Sequence, residues 1–260
     1  MFNMFYCCHK LKSLDLSNFR TSSVTSMFQM FFECNDLETL DISNFDTSKI
    51  DNMFEMFRDC SSLVSLDLSS FDTSSVVSMN NMFKGCSSLQ SLDLSNFVTS
   101  SVQDTSYMFL ECQSLRNLDL TNFDTRAVTA MNSMFFNCVS LTSLELGHYD
   151  TSEVTDMSRM FYGCSSLMSL NLKSFNADKA TSYGEMFIGD DNLKICIEAE
   201  IREEIKSQLP PNSLRTCLEL CTQFSQSKFI SEKNKCINNC NNDDTYKYEY
   251  ENQCYTSCEN

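Results

Sequence analysis

Seven cysteines stand at positions 8, 34, 60, 86, 112, 138 and 164, and every step is 26 residues with no slippage. A period held over that many copies means that one short unit is stacked on itself, because a unit of this size cannot bury its apolar side alone. Other residues keep the same register. Leucine recurs at 11, 37, 63, 89, 115, 141, 167 and 193. Phenylalanine recurs at 19, 45, 71, 97, 123 and 175, with Tyr149 in the series. Methionine recurs at 4, 30, 56, 82, 108, 134, 160 and 186, each followed by Phe. The high Phe and Met content, 21 and 15 among 260 residues, is therefore a property of the repeat. The next place in the cysteine series is Asp190, in a degraded unit.

Two spacings alternate within a unit. LKSLDLSNF at 11–19 reads LxxLxL, the strand signature of a leucine-rich repeat. Leu14 and Leu16 alternate with Ser13, Asp15 and Ser17, as a half-buried strand requires. Val76, Met79, Met82, Phe83 and Cys86 then fall on one face of a helix. The intervening DTSS is rich in residues that cap helix N-termini. The expected unit is strand, turn, helix, turn, an α/β solenoid of about eight 26-residue units. The repeated cysteine closes the inward stripe and is expected to be a buried, reduced thiol. One cysteine per coil supplies no nearby second sulfur for a disulfide or a metal.

One polar series runs between the core leucines: Asp15, Asp41, Asp67, Asp93, Asp119 and Glu145, followed by Asn171. Alternation along the strand turns these side chains away from the core, onto the expected concave face. Neighbouring carboxylates about 5 Å apart repel unless something offsets them. Ser17, Ser43, Ser69, Ser95 and Thr121 stand close enough in sequence to donate hydrogen bonds. The row is either a hydrogen-bonded structural ladder or a stripe that meets calcium or a basic partner. Repulsion alone predicts that changing Asp67 and Asp93 to Asn raises the melting temperature of the unliganded protein. A second set, Asp46, Asp72, Asp124 and Asp150, precedes Thr and is expected to cap helices.

Units of the form MFxxCxSLxSLDLSNFDTSxVTSM resemble the BspA-like leucine-rich repeats of bacterial and protist surface proteins, over residues 1 to about 197. The resemblance implies a right-handed solenoid with a role in cell-surface contact or adhesion. Most leucine-rich repeats carry Asn where Phe19, Phe45 and Phe71 stand here, so an aromatic spine is expected in place of an asparagine ladder. Met1 falls at the register of Met27 and Met53, within a unit, so the chain is expected to be part of a longer one.

Beyond the repeats, Ile197, Ile201, Ile205 and Leu209 recur every four residues before Pro210 and Pro211. A helix over 198–209 is expected to close a solenoid domain spanning 1–209. Composition then shifts. Cys217, Cys221, Cys236, Cys240, Cys254 and Cys258 form three C-x3-C pairs within 212–260. So short a segment buries little core, and covalent staples are expected. Six cysteines admit many pairings, and the spacing also permits zinc. CINNCNNDDTYKYEYENQCYTSCEN is similar to the growth-factor-receptor-like cysteine-rich segments of protist surface proteins, a module expected to be truncated here. Disulfides there imply an oxidising compartment.

The formal net charge of −16 disfavours nucleic acid and anionic lipid as partners. No apolar run approaches the roughly 18 residues of a membrane helix, and the first residues do not read as a signal peptide. No GxSxG, GxGxxG, Walker or HExxH motif occurs. His9 and His148 are the two histidines and read as exposed repeat variants. The expectation is a non-enzymatic surface recognition or adhesion protein, without a cofactor, that binds proteins or cell-surface components through the concave face. The alternative is an intracellular leucine-rich-repeat scaffold or ligand sensor.

Overall fold

The computed structural model describes residues 1–172, 174–190, 193–196, 203–211, 213–215, 228–230, 235–237, 248–250 and 253–255. Every 26 residues the chain returns to lie beside itself. A parallel ladder joins Ser26, Asn52, Ser78, Asp104, Ala130, Asp156 and Ser182, one residue per coil. The repeat is thus a stack of coils, as its period requires.

The stretch expected to be helical is not a helix in any described coil. Met30, Phe32 and Cys34 each donate an N–H to the carbonyl three residues earlier, at 3.2, 3.3 and 3.2 Å. The alternate residues Gln29, Phe31 and Glu33 donate instead to Phe54, Met56 and Arg58 of the next coil, at 3.0, 2.9 and 2.8 Å. Gln29 and Glu33 adopt positive φ, and so do their equivalents Glu55 and Asp59, Asn81 and Gly85, and Tyr107 and Glu111. A left-handed residue every fourth position is incompatible with an α-helix. A helix would keep its N–H groups within its own turns, leaving coils to meet only through side chains. Here half of the N–H groups zip one coil to the next. That ladder offsets the strain of L-residues in the left-handed region, about 1–2 kcal/mol each. Met27, Met30, Phe31 and Cys34 are still fully buried. A chain of turns therefore delivers the same apolar face as the expected helix, on a different backbone.

The LxxLxL segments are also shorter strands than expected. Regular strands form only where the polar residue between the leucines is no longer Asp: β1, Ser143–Glu145, and β2, Ser169–Asn171, paired in parallel. β3, Lys194–Cys196, extends this sheet. In earlier coils the Asp side chain caps the N–H two residues on, as with Ser43 and Asp41 at 3.0 Å, and bends the backbone there. Where Glu145 replaces Asp, Leu146 N–H donates to Asn171 of the next coil at 3.1 Å and the ladder continues.

Two polar ladders lock the coils together. Buried Thr47 donates its hydroxyl to the Asp72 carbonyl of the next coil at 2.9 Å and accepts the Asp72 N–H at 2.8 Å. Thr21, Thr73, Thr99, Thr125 and Thr151 make the same kind of bond to the next coil's carbonyl. Asn44 Nδ2 reaches the Leu16, Ser17 and Phe19 carbonyls of the preceding coil at 3.0, 3.4 and 3.2 Å. Asn96 and Asn122 repeat this. An asparagine ladder is therefore present, one residue before Phe45, Phe97 and Phe123. It is not replaced by an aromatic spine. The ladder is needed because the carbonyls of each loop require donors that a phenyl ring cannot supply.

The stacked aromatic column lies elsewhere, at the Phe after each repeated Met. Phe31, Phe57, Phe83, Phe109, Phe135 and Phe161 pack ring on ring at centroid distances of 5.6, 5.8, 5.8, 5.7 and 5.7 Å. The cysteines line the same interior. Cys60, Cys86, Cys112, Cys138 and Cys164 each donate the thiol to the carbonyl of the Phe 29 residues earlier, at 3.2, 3.1, 3.1, 3.0 and 3.0 Å. A thiol at this register is small enough for the core and still supplies a donor. Burial pushes the Cys34 and Cys138 thiols up to about 12 and those of Cys60, Cys86, Cys112 and Cys164 upward too, so they are inert nucleophiles.

Tyr149 departs from the Phe series and is fully buried. Its hydroxyl meets no hydrogen-bond partner among the described residues. Restoring the repeat residue with Tyr149→Phe is expected to raise the unfolding free energy by about 1 kcal/mol, read from the urea midpoint at constant m-value.

At the far end, α1, Glu203–Lys206, lies within the expected closing helix. Ile205 is buried, and Gln208 Oε1 accepts the Met186 N–H of the last coil at 3.1 Å. β4, Leu214–Arg215, pairs in parallel with β3. Four short strands, β5 (Lys228–Ile230), β6 (Lys235–Ile237), β7 (Tyr248–Tyr250) and β8 (Gln253–Tyr255), form a second sheet in the order β6-β5-β8-β7. Cys217, Cys221, Cys240 and Cys258 lie outside the described residues. Cys236 and Cys254 stand within β6 and β8.

Candidate functional site: a row of carboxylates along the coils

Six successive coils each contribute one carboxylate to the row, placed between the last two aliphatic residues of the LxxLxL segment. Leu40 and Ile42 are buried and flank exposed Asp41; Leu66 and Leu68 flank Asp67 in the same way. Asp15, Asp41, Asp67, Asp93, Asp119 and Glu145 are all solvent-exposed, and Asn171, which ends the row, is buried.

Every aspartate of the row is tied by one oxygen. Oδ1 of Asp15, Asp41, Asp67, Asp93 and Asp119 accepts the N–H of Ser17, Ser43, Ser69, Ser95 and Thr121, at 3.0, 3.0, 2.9, 2.9 and 3.0 Å. The Ser43 and Thr121 hydroxyls add a second bond to the same oxygen at 2.7 Å each. Glu145 is too long for this turn and instead accepts Asn171 Nδ2 of the next coil at 3.0 Å.

Electrostatics decides what the row costs. The hydrogen bonds from Ser43 hold the Asp41 carboxyl below its ordinary range, and repulsion from Asp67 and Asp15 is the weaker, opposing effect. Asp67 is likewise lowered by Ser69 against the charge of Asp93. Asp15 and Asp93 are lowered by Ser17 and Ser95. Hydrogen bonding to the charged form thus outweighs like-charge repulsion. The expected rise in melting temperature on neutralising Asp67 and Asp93 is accordingly reversed: Asp67→Asn with Asp93→Asn should lower it. A folded-state value below the unfolded one means that this stabilisation is present above the unfolded carboxylate range, near pH 4, and is lost as pH falls through the folded value. Thermal melts at pH 7 and pH 3 should show the wild-type and double-variant curves separated at the higher pH and converging at the lower.

The second acidic set makes the same turn and caps no helix. Asp46 and Asp72 Oδ1 accept the Ser48 and Ser74 N–H at 3.1 and 2.9 Å. Asp150 accepts Ser152 at 3.0 Å. Asp124 accepts Arg126 through its backbone and its guanidinium. A third such column escaped the sequence reading: Asn52, Asp104 and Asp156 cap Phe54, Ser106 and Ser158 at 2.9, 2.8 and 2.9 Å. Its signal was a polar residue two before each N–H, hidden by the apparent helical spacing.

Among the described residues, no helix is long and apolar enough to cross a membrane. His148 Nε2 lies 3.1 Å from the Leu120 carbonyl, at the register of the asparagine ladder. It therefore takes the place of the ladder asparagine and packs edge-on against Tyr149 at 4.9 Å.

The family described as Mycoplasma protein of unknown function, DUF285, matches residues 1–118 and again 87–199. None of the curated proteins matches the sequence. Among solved structures, a leucine-rich repeat protein from Bacteroides ovatus is similar at 18% identity, with TM-score 0.30, over 83% of this chain and 86% of that one. A leucine rich cell surface protein from Faecalibacterium prausnitzii is similar at 15% identity, with TM-score 0.29, over 81% of this chain and 79% of that one. Scores this low do not place the chains in one overall superposition.

Proposed function

From the premise that the chain belongs to the DUF285 family, we propose that it is a non-enzymatic recognition solenoid that works at the cell surface. The observation that carries this reading is the exposed carboxylate row, repeated coil after coil on a rigid stack. Asp15, Asp41, Asp67 and Asp93 each spend Oδ1 on a structural turn, and Oδ2 makes no hydrogen bond with the described residues. These four coils thus each leave one carboxylate oxygen to solvent. A series of equivalent shallow contacts favours an extended basic partner bound through many weak interactions. The net charge of −16 steers such a partner in.

The test is binding of the full chain to an immobilised oligolysine peptide across a salt series, with and without calcium. Asp41→Ser, Asp67→Ser and Asp93→Ser combined should weaken peptide binding at least about tenfold and flatten its salt dependence. Equal binding by the triple variant would sink the reading. A response to calcium alone would transfer the row to cation binding.

Compartment is tested separately. The proposal places Cys217, Cys221, Cys236, Cys240, Cys254 and Cys258 in disulfides. A thiol count on non-reduced protein in denaturant should then find the cysteines of the coils reactive and these six blocked. Fifteen reactive thiols would favour the intracellular scaffold instead.

A further inference from the structure

Cys7 and His9 are departures from the repeat that fall together. Cys7 stands at the register of Glu33, Asp59, Gly85, Glu111, Asn137 and Gly163, next to the core series that contains Cys8. His9 stands at the register of Asn35, Ser61, Ser87 and Gln113. Stacking brings Glu33 of the second coil against both. Cys7 Sγ lies 3.4 Å from Glu33 Oε2, and His9 Nε2 lies 4.0 Å from the same oxygen. The sulfur, a ring nitrogen and a carboxylate oxygen of the three residues are all within 4.8 Å of one another.

The surroundings fix which nitrogen is available. Asn35 Nδ2 donates to the Asp59 carbonyl at 3.0 Å, so its Oδ1 is the atom facing His9. His9 Nδ1 lies 2.7 Å from that Oδ1 and 3.0 Å from the Glu33 carbonyl. Both are acceptors, so the ring proton sits on Nδ1. The Nε2 lone pair then points toward a carboxylate and a thiol. The Cys7 thiol donates its proton to Glu33 Oε2, so the Nε2 lone pair and that carboxylate oxygen face each other with no donor between them, an arrangement that a cation would favour. An imidazole whose second nitrogen is hydrogen-bonded to a carbonyl is also how metal-binding histidines are held.

We infer that Cys7 Sγ, His9 Nε2 and Glu33 Oε2 form a three-ligand zinc site on the flank of the first two coils, with a fourth position open to water or to a partner's side chain. A tetrahedral zinc with bonds of about 2.0–2.3 Å keeps its ligand atoms roughly 3.3–3.8 Å apart, so the 4.0 Å between His9 Nε2 and Glu33 Oε2 must shorten and closing the set takes side-chain shifts of up to about 1 Å. Thiolate, imidazole and carboxylate together suit zinc and exclude calcium and magnesium. Binding replaces the thiol proton, which leaves to solvent, and forms a Zn–S bond without any redox change. The site lies apart from the carboxylate row and does not depend on its reading.

The test is cobalt and zinc titration of the reduced full chain. Cobalt should produce a thiolate-to-metal charge-transfer band, and zinc should displace it. Cys7→Ser and His9→Gln should each abolish the band and remove one equivalent of bound zinc, whatever other cysteines of the chain bind. Asn35→Ala, which removes the shorter of the two contacts that hold Nδ1 without removing a ligand, should weaken zinc roughly 10-fold or more. Both ligand positions are at least partly exposed, so unchanged apo melting curves will show that the variants fold. An unchanged cobalt spectrum and zinc stoichiometry in Cys7→Ser and His9→Gln would overturn the assignment. So would the absence of a cobalt band in the wild type.

Discussion

Replacing Phe109 by alanine is expected to lower the unfolding free energy by about 3–5 kcal/mol. The ring is fully buried between Phe83 and Phe135, with centroids 5.8 and 5.7 Å away and planes within 7° and 9° of parallel. Its removal opens a cavity in the middle of the column and strips a stacking partner from both neighbours. Position should matter as much as chemistry. Phe187 stacks on Phe161 at 5.6 Å in the last coil of the column, so Phe187→Ala should cost distinctly less. In a linear array each unit gains stability only from its neighbours. Urea denaturation of the two variants, followed by circular dichroism, checks both the loss and its gradient. A Phe109→Ala transition that becomes broader or biphasic would mean that the stack has been divided into two separately melting halves. Equal losses at the two positions would contradict the nearest-neighbour picture.

The second large effect is expected at Thr73, where Thr73→Val should cost about 2–4 kcal/mol although valine has nearly the same shape. The Thr73 hydroxyl donates to the Val98 carbonyl at 3.0 Å and accepts the Val98 N–H at 2.8 Å. Thr73 itself is fully buried. Valine fills the space but leaves a carbonyl and an N–H unpaired, each costing about 1–3 kcal/mol. Thr73→Ser keeps the hydroxyl and loses one methyl, so its loss should be about 1 kcal/mol. A Val variant as stable as the Ser variant would show that the two backbone groups find water or another partner.

These two positions also show how far the sequence could be read. The 26-residue period, the stacking of coils, and the buried leucines, methionines and cysteines all follow from register, because burial is a property of side-chain spacing. The same spacing misled at the backbone. Val76, Met79, Met82, Phe83 and Cys86 fit a helical face, and they are buried as that face would be. The neighbouring coil nevertheless supplies carbonyls for alternate N–H groups, and turns result. A clue was present: Asn81 with Gly85, then Asn137, Gly163 and Gly189, recur at the registers that take positive φ, and Gly and Asn are the residues that enter that region most readily. The DT dipeptides likewise have the composition of helix caps. They hold a side-chain-capped turn at Asp and a bond between coils at Thr.

The carboxylate row was legible as a series of exposed acids but not in its energetics. Whether Asp41 repels Asp67 or is calmed by Ser43 depends on a distance of 2.7 Å that no spacing specifies. The Cys7, His9 and Glu33 cluster was beyond reach for a related reason, since its third member comes from the next coil. The amino-acid sequence alone determined the repeat, its length and which side chains leave water, because the hydrophobic effect depends on pattern and not on partner identity. The tertiary structure alone decided where each N–H and carbonyl finds its partner, because a hydrogen bond is directional and its other half here belongs to a different turn of the chain.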